Sequence, residues 1–120
     1  MSNTTTALLV KLVMTFIAAW LTLGFMDGNP LVWVIIVAIV GTGLNYILGD
    51  LVVLPNLGNV VASIGDGVMA AVVAYVIAMF TRDFNTTFGT LIGLAIIVGV
   101  VEFFFHMYLQ RADTVAPKEK

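Results

Sequence analysis

The sequence predicts an all-α integral membrane protein folded as an antiparallel four-helix bundle. Three observations carry this. Of the 120 residues, 61% are apolar and only 10% charged, and the mean hydropathy of +1.10 would leave a soluble fold of this size exposing too much hydrocarbon. The apolar residues fall in four stretches, each near the roughly 20 that a helix needs to cross about 30 Å of lipid. Turn-forming residues separate the stretches, and the connections are too short for anything but antiparallel neighbours. A β-barrel is not expected, because the runs lack polar/apolar alternation and are too long for strands.

The first span is expected over residues 7–26. Met1 to Thr6 carries no basic residue, Lys11 lies inside the apolar run, and about 20 apolar residues exceed the 7–15 of a secretory signal core. The stretch therefore reads as a retained span. It ends at Asp27-Gly28-Asn29-Pro30, where Asn29 is expected to cap the next helix and Pro30 to occupy its first position. The second span is expected over 31–54. Pro55 should stop it, since proline lacks the amide hydrogen and disfavours helix in the residue before it. Asn59 can cap a third span over 59–80. Residues 81–87 are polar enough to lie in water, the fourth span is expected over 88–109, and residues 110–120 form a polar tail.

Lysine and arginine placement predicts orientation. An even number of spans puts both termini on one side, with Lys11, Arg111, Lys118 and Lys120, against Arg82 alone on the other. The imbalance favours cytoplasmic termini. The net charge of −2 and the lack of a basic block argue against nucleic acid as a partner, which leaves the lipid bilayer. No cysteine is present, so disulfides and thiolate sites are excluded. The single histidine, His106, argues against a zinc site made by protein alone.

Charged residues inside a span are costly and normally face other helices or a wet cavity. Lys11, Asp50, Asp66, Glu102 and His106 all fall in the half of the spans expected to be cytoplasmic, with Asp66 and Glu102 about 10 Å deep at 1.5 Å per residue. Helical spacing groups Asp66 with Ser63, Gly67, Ala70 and Ala74, and Glu102 with Ala95, Gly99 and His106. Ala38, Gly41, Thr42, Asn45 and Gly49 form a similar stripe, as do Lys11, Thr15, Ala18 and Thr22. Small-residue stripes let helices approach closely in lipid. Turning all four inward places Lys11, Asn45, Asp50, Asp66, Glu102 and His106 around one polar pocket.

Taken singly, Lys11 is explained by snorkelling, Asp50 by an interfacial position and His106 by a hydrogen-bonded surface role. Asp66 and Glu102 are too short and too deep to snorkel, so each needs a partner or a proton. Two readings follow. In the first, the cluster is a structural network that specifies helix packing in a small accessory membrane protein. In the second, Asp66 and Glu102 serve a proton- or cation-coupled carrier of a small solute, working as a homodimer because four short helices scarcely enclose a path. Small multidrug transporters share the size but carry their acid in the first span, where this chain has Lys11. An enzyme is not expected: no nucleophile arrangement, phosphate loop or cofactor motif is present. Glu102 and His106 share the i, i+4 spacing of metal-binding helices, but two ligands do not define a site. The glycosylation patterns at Asn3-Thr4-Thr5 and Asn85-Thr86-Thr87 read as capping residues.

Gly49, Asp50, Pro55, Gly58, Asn59 and Ala62, followed by Asp66, form a hinge pattern that resembles the YndM-like proteins, small four-span membrane proteins of Bacillus and related Firmicutes. The closing segment Glu102-Phe103-Phe104-Phe105-His106-Met107-Tyr108-Leu109 is similar too, although Phe103 stands where that pattern has tryptophan. The likeness covers nearly the whole chain. It implies a bacterial plasma-membrane location and no particular activity.

Overall fold

A computed structural model describes residues 3–112. Among them there is no strand, in agreement with an all-α fold. Helix α1 (Asn3–Ala19) continues as a π-helical segment, Trp20–Met26. Helix α2 (Leu31–Leu44) likewise runs into a π segment, Asn45–Val53, and then into α3 (Leu54–Met79). Helix α4 spans Phe88–Ala112. Residues 113–120, most of the expected polar tail and the site of Lys118 and Lys120, lie outside the described residues.

Three helical stretches are long and apolar enough to cross a membrane: Thr4–Met26, Leu31–Met79 and Phe88–Tyr108. The middle one has 49 residues. Straight, it would measure about 73 Å at 1.5 Å per residue, yet the molecule's longest extent is 45 Å. The chain turns back at Gly58, whose φ of 86° and ψ of 173° lie in a region essentially reserved for glycine. The expected stop at Pro55 is not where the chain turns: the helical run passes directly from the π segment Asn45–Val53 through Pro55. The break falls three residues later.

The first inter-helix loop also departs from expectation. Pro30, with φ −58° and ψ 144°, occupies the position before α2 that was expected of Asn29. The Asn29 side chain is used elsewhere: Nδ2 donates to the carbonyls of Leu23 at 2.9 Å and Asn85 at 2.7 Å, and Oδ1 accepts from the Asn85 amide at 2.8 Å. One amide thus ties the loop before α2 to the loop before α4. That second loop is not wholly in water either. Phe84 is buried in the core, 6.3 Å from the ring of Trp33. Thr87 does cap α4, accepting from the Thr90 amide at 3.2 Å.

Two apolar clusters form the core. One contains Ala18, Leu23, Val37, Ala70, Ala74 and Val98; the other contains Ala7, Leu54, Ala62 and Phe105. Along each helical run the charged residue lies between members of the two: Lys11 between Ala7 and Ala18, Asp50 between Val37 and Leu54, Asp66 between Ala62 and Ala70, Glu102 between Val98 and Phe105. The polar residues therefore share one level, with hydrocarbon packing on both sides. Small residues bring α3 and α4 together there. A β-carbon on Gly67 would overlap the Ala95 carbonyl oxygen, and one on Gly99 would stand 3.4 Å from the Ser63 carbonyl oxygen.

Candidate functional site: a buried charged cluster

Each helical run contributes one acid or base to the shared level, and His106 follows Glu102 by one turn of α4. Lys11, Asp50, Asp66 and His106 are 0% exposed and Glu102 is 1% exposed. Neither a snorkelling lysine nor an interfacial Asp50 fits those values. The Lys11 ammonium pairs with Glu102 Oε2 and lies 3.2 Å from Asp50 Oδ2. The Phe105 ring centroid, 5.3 Å from Lys11 Nζ, adds a cation–π contact to the same charge.

His106 takes the other half of the cluster. Its Nε2 lies 2.9 Å from Asp50 Oδ1, 2.9 Å from Asp66 Oδ2 and 3.3 Å from Glu102 Oε2. Only the Asp50 contact is also a hydrogen bond. The contact with Asp66 has the distance of an ion pair without hydrogen-bond alignment, and neither Asp66 oxygen receives a hydrogen bond from a described residue. On the opposite edge of the ring, Nδ1 is 2.8 Å from Asn59 Oδ1 and 3.2 Å from Ser63 Oγ. Asn59 is held in turn, donating from Nδ2 to the Phe103 carbonyl at 2.9 Å.

The arrival of Asp50 depends on the π segment. In an α-helix of 3.6 residues per turn, a residue five positions on points about 140° away from its starting direction. The i→i+5 bonding of a π turn brings it back towards the same side. Asn45, Gly49 and Asp50 are all buried on the inner face as a result. Gly49 is required there, because a β-carbon at that position would run into the Asp66 carboxylate.

Of the six polar residues expected around one pocket, the structure brings Lys11, Asp50, Asp66, Glu102 and His106 into direct contact. Asn45 is fully buried, but neither of its polar side-chain atoms has a hydrogen-bond partner among the described residues. Of the hinge residues Gly49, Pro55, Gly58 and Asn59, two also serve the cluster. Gly49 makes room for Asp66, and Asn59 holds His106. Asn59's spacing marked it as a cap and gave no sign of its reach to α4. The cavity that Glu102 lines with Met14, Thr15, Ala18, Val98 and Val101 has no room for a water-sized sphere. A groove of about 620 Å³ between α3 and α4 is lined by apolar side chains and Ser63, and by none of the charged residues.

A family model described as protein of unknown function, DUF2512, matches residues 2–120. The chain belongs to the DUF2512 family. No curated protein and no solved structure matches it. Membership in DUF2512 assigns no activity, so the chemistry of the cluster has to be argued from its own residues.

Proposed function

We propose that this DUF2512 protein crosses the bilayer four times as an antiparallel helix bundle, with both termini cytoplasmic, and that its charged cluster is a structural hub. The hub fixes which faces of the helices meet and at what height. No catalytic role is assigned to it. The reversal at Gly58 supports four crossings rather than three, and the bias of lysine and arginine supports the orientation. The narrower YndM-like affinity, resting on the hinge pattern from Gly49 to Asp66, belongs to the same proposal and favours a bacterial plasma membrane.

One observation carries the hub: a single network of ion pairs takes a residue from every helical run while remaining sealed from solvent. Interhelical packing in lipid lacks a hydrophobic driving force, so small residues and polar contacts hold helices together. Mispairing of helices would leave three carboxylates or a lysine in hydrocarbon, which is expensive. The hub thus acts against wrong registers as well as for the right one. Its test is stability and topology together. Asp66→Asn and Glu102→Gln should fold and insert as the wild type does, because Lys11 keeps Asp50 at 3.2 Å as a partner, the amides can still hydrogen-bond, and the cluster loses surplus desolvated negative charge. A cytoplasm-specific reporter should work after Lys120 and fail between Arg82 and Asn85. The opposite reporter pattern would overturn the orientation.

The convergence of three carboxylates on one imidazole nitrogen favours a second reading, a carrier coupled to protons or cations with a homodimer as its working unit. It is tested by proton flux into liposomes under a range of solutes. Flux present in the wild type and lost in both Asp66→Asn and Glu102→Gln supports the carrier. Equal flux in all samples removes it.

A further inference from the structure

The hydrogen bonds around His106 determine where its hydrogens lie. Asn59 must direct Nδ2 to the Phe103 carbonyl, which can only accept, so Oδ1 faces the ring. Ser63 Oγ donates to that oxygen at 3.0 Å, and His106 Nδ1 is 2.8 Å from it. An amide oxygen accepts, so Nδ1 carries a hydrogen. In neutral imidazole the other nitrogen, Nε2, is then a bare lone pair.

That lone pair faces Asp50 Oδ1, Asp66 Oδ2 and Glu102 Oε2 at 2.9, 2.9 and 3.3 Å. With nothing between them the arrangement is repulsive. One proton on Nε2 serves Asp50 and leaves Asp66, fully buried, with no donor on either oxygen. Charge balance points the same way. With all three carboxylates ionised, they and the Lys11 ammonium sum to −2 when the imidazole is neutral and to −1 when it is charged. Buried charge of that kind is normally paired or bound to metal.

We infer that Asp50, Asp66, Glu102 and His106 bind one divalent transition-metal cation between His106 Nε2 and the three carboxylates. Their ligand atoms all lie within 4.8 Å of one another. At metal–ligand distances of about 2.0–2.2 Å, neighbouring ligands stand about 2.9 Å apart in an octahedron and about 3.4 Å in a tetrahedron, the span of the three nitrogen–oxygen separations. Imidazole with carboxylates suits Zn²⁺, Fe²⁺ or Mn²⁺, whereas Mg²⁺ and Ca²⁺ prefer all-oxygen sets. Asn59 supplies the outer hydrogen bond that orients a metal-binding histidine. A divalent ion would bring the cluster to neutrality. Glu102 and His106 alone have metal-type i, i+4 spacing; the fold brings Asp50 and Asp66, expected in the same pocket, to the same nitrogen. The inference goes beyond the packing role, since the hub joins the helices with or without the ion.

The test uses the full chain purified in detergent without a histidine tag, stripped with chelator and loaded with Zn²⁺ alone or Mn²⁺ alone. Elemental analysis after gel filtration should find one Zn²⁺ per chain. Pulsed electron paramagnetic resonance of the Mn²⁺ form should show coupling to an imidazole nitrogen, and because the chain has one histidine, that nitrogen can only be His106's. His106→Gln should abolish the coupling, and both His106→Gln and Asp66→Asn should weaken metal retention by at least about tenfold. Asp83→Asn, in the loop before α4, should retain the metal as the wild type does. Folded wild type that holds no stoichiometric metal, or that shows no nitrogen coupling, overturns the site, as does retention that survives His106→Gln. The coupling is read on the wild type, so a variant that fails to fold does not protect the inference. A negative result with a stable protein would remove the metal and leave the hub standing.

Discussion

Removing Lys11 is the perturbation whose size the structure fixes best. The ammonium is sealed from solvent, pairs with Glu102 and lies 3.2 Å from Asp50. In Lys11→Met the thioether fills most of the vacated volume, so packing changes little and electrostatics dominate. Three buried carboxylates are left with His106 as the only base in contact among the described residues. Breaking a buried pair by removing one partner costs about 3–5 kcal/mol, because the other charge stays desolvated. Glu102→Gln removes one of the stranded charges, so Lys11→Met should cost less in that background. The difference should fall at about 1–3 kcal/mol, the range for residues in one network. Reversible unfolding in mixed micelles, followed by circular dichroism and by fluorescence of Trp20 and Trp33, gives the four stabilities of the cycle. Additivity within about 0.5 kcal/mol would mean that Lys11 and Glu102 are uncoupled. A loss below about 1 kcal/mol for Lys11→Met alone would place the lysine in water and dismantle the hub.

Three further substitutions probe how the hub is positioned. Gly58→Ala forces a side chain onto a backbone with φ 86° and ψ 173° and should cost about 1–3 kcal/mol, measured by the same unfolding assay; an unchanged midpoint would mean that the reversal lies elsewhere. Gly67→Ala puts a methyl group against the Ala95 carbonyl and should cost about 1–3 kcal/mol through separation of α3 and α4; cysteine pairs introduced across that interface should crosslink more slowly, and equal rates would contradict the close approach. Asn59→Ala frees the Phe103 carbonyl and the His106 ring together and should cost about 1–3 kcal/mol, with the single histidine's imidazole resonance broadened; a sharp, unshifted resonance would show that Asn59 does not hold the ring.

The helical period and depth in the membrane were enough to draw Lys11, Asp66, Glu102 and His106 to one level, because three of the helical runs carry them on plain α-helical faces. Asp50 was harder to read. Five residues from Asn45, it falls on a different face of a regular helix, and its burial depends on a π segment whose i→i+5 bonding leaves no mark in composition. Asn29 and Asn59 each sat next to a proline or glycine break and so resembled caps. Their long-range bonds to Asn85 and Phe103 bridge 56 and 44 positions of sequence, and local pattern carries no information at that range. Phe84 was hidden among the polar residues of its loop, where one aromatic gives no periodicity to follow. The i, i+4 pattern pairs only Glu102 with His106, and the two further residues of the proposed metal site, Asp50 and Asp66, lie on other helical runs.

The central claim is that Asp50, Asp66 and His106, from three different helical runs, meet at one nitrogen inside the bilayer. Solid-state nuclear magnetic resonance on the protein in lipid tests it, using ¹⁵N-labelled histidine and aspartate labelled with ¹³C at its carboxylate. The one histidine gives one Nε2 signal. With Asp50 and Asp66 oxygens each 2.9 Å from Nε2, that signal should dephase against two carboxylate carbons, and against one in Asp66→Asn. Dephasing by no carboxylate, or dephasing unchanged in Asp66→Asn, would contradict the account.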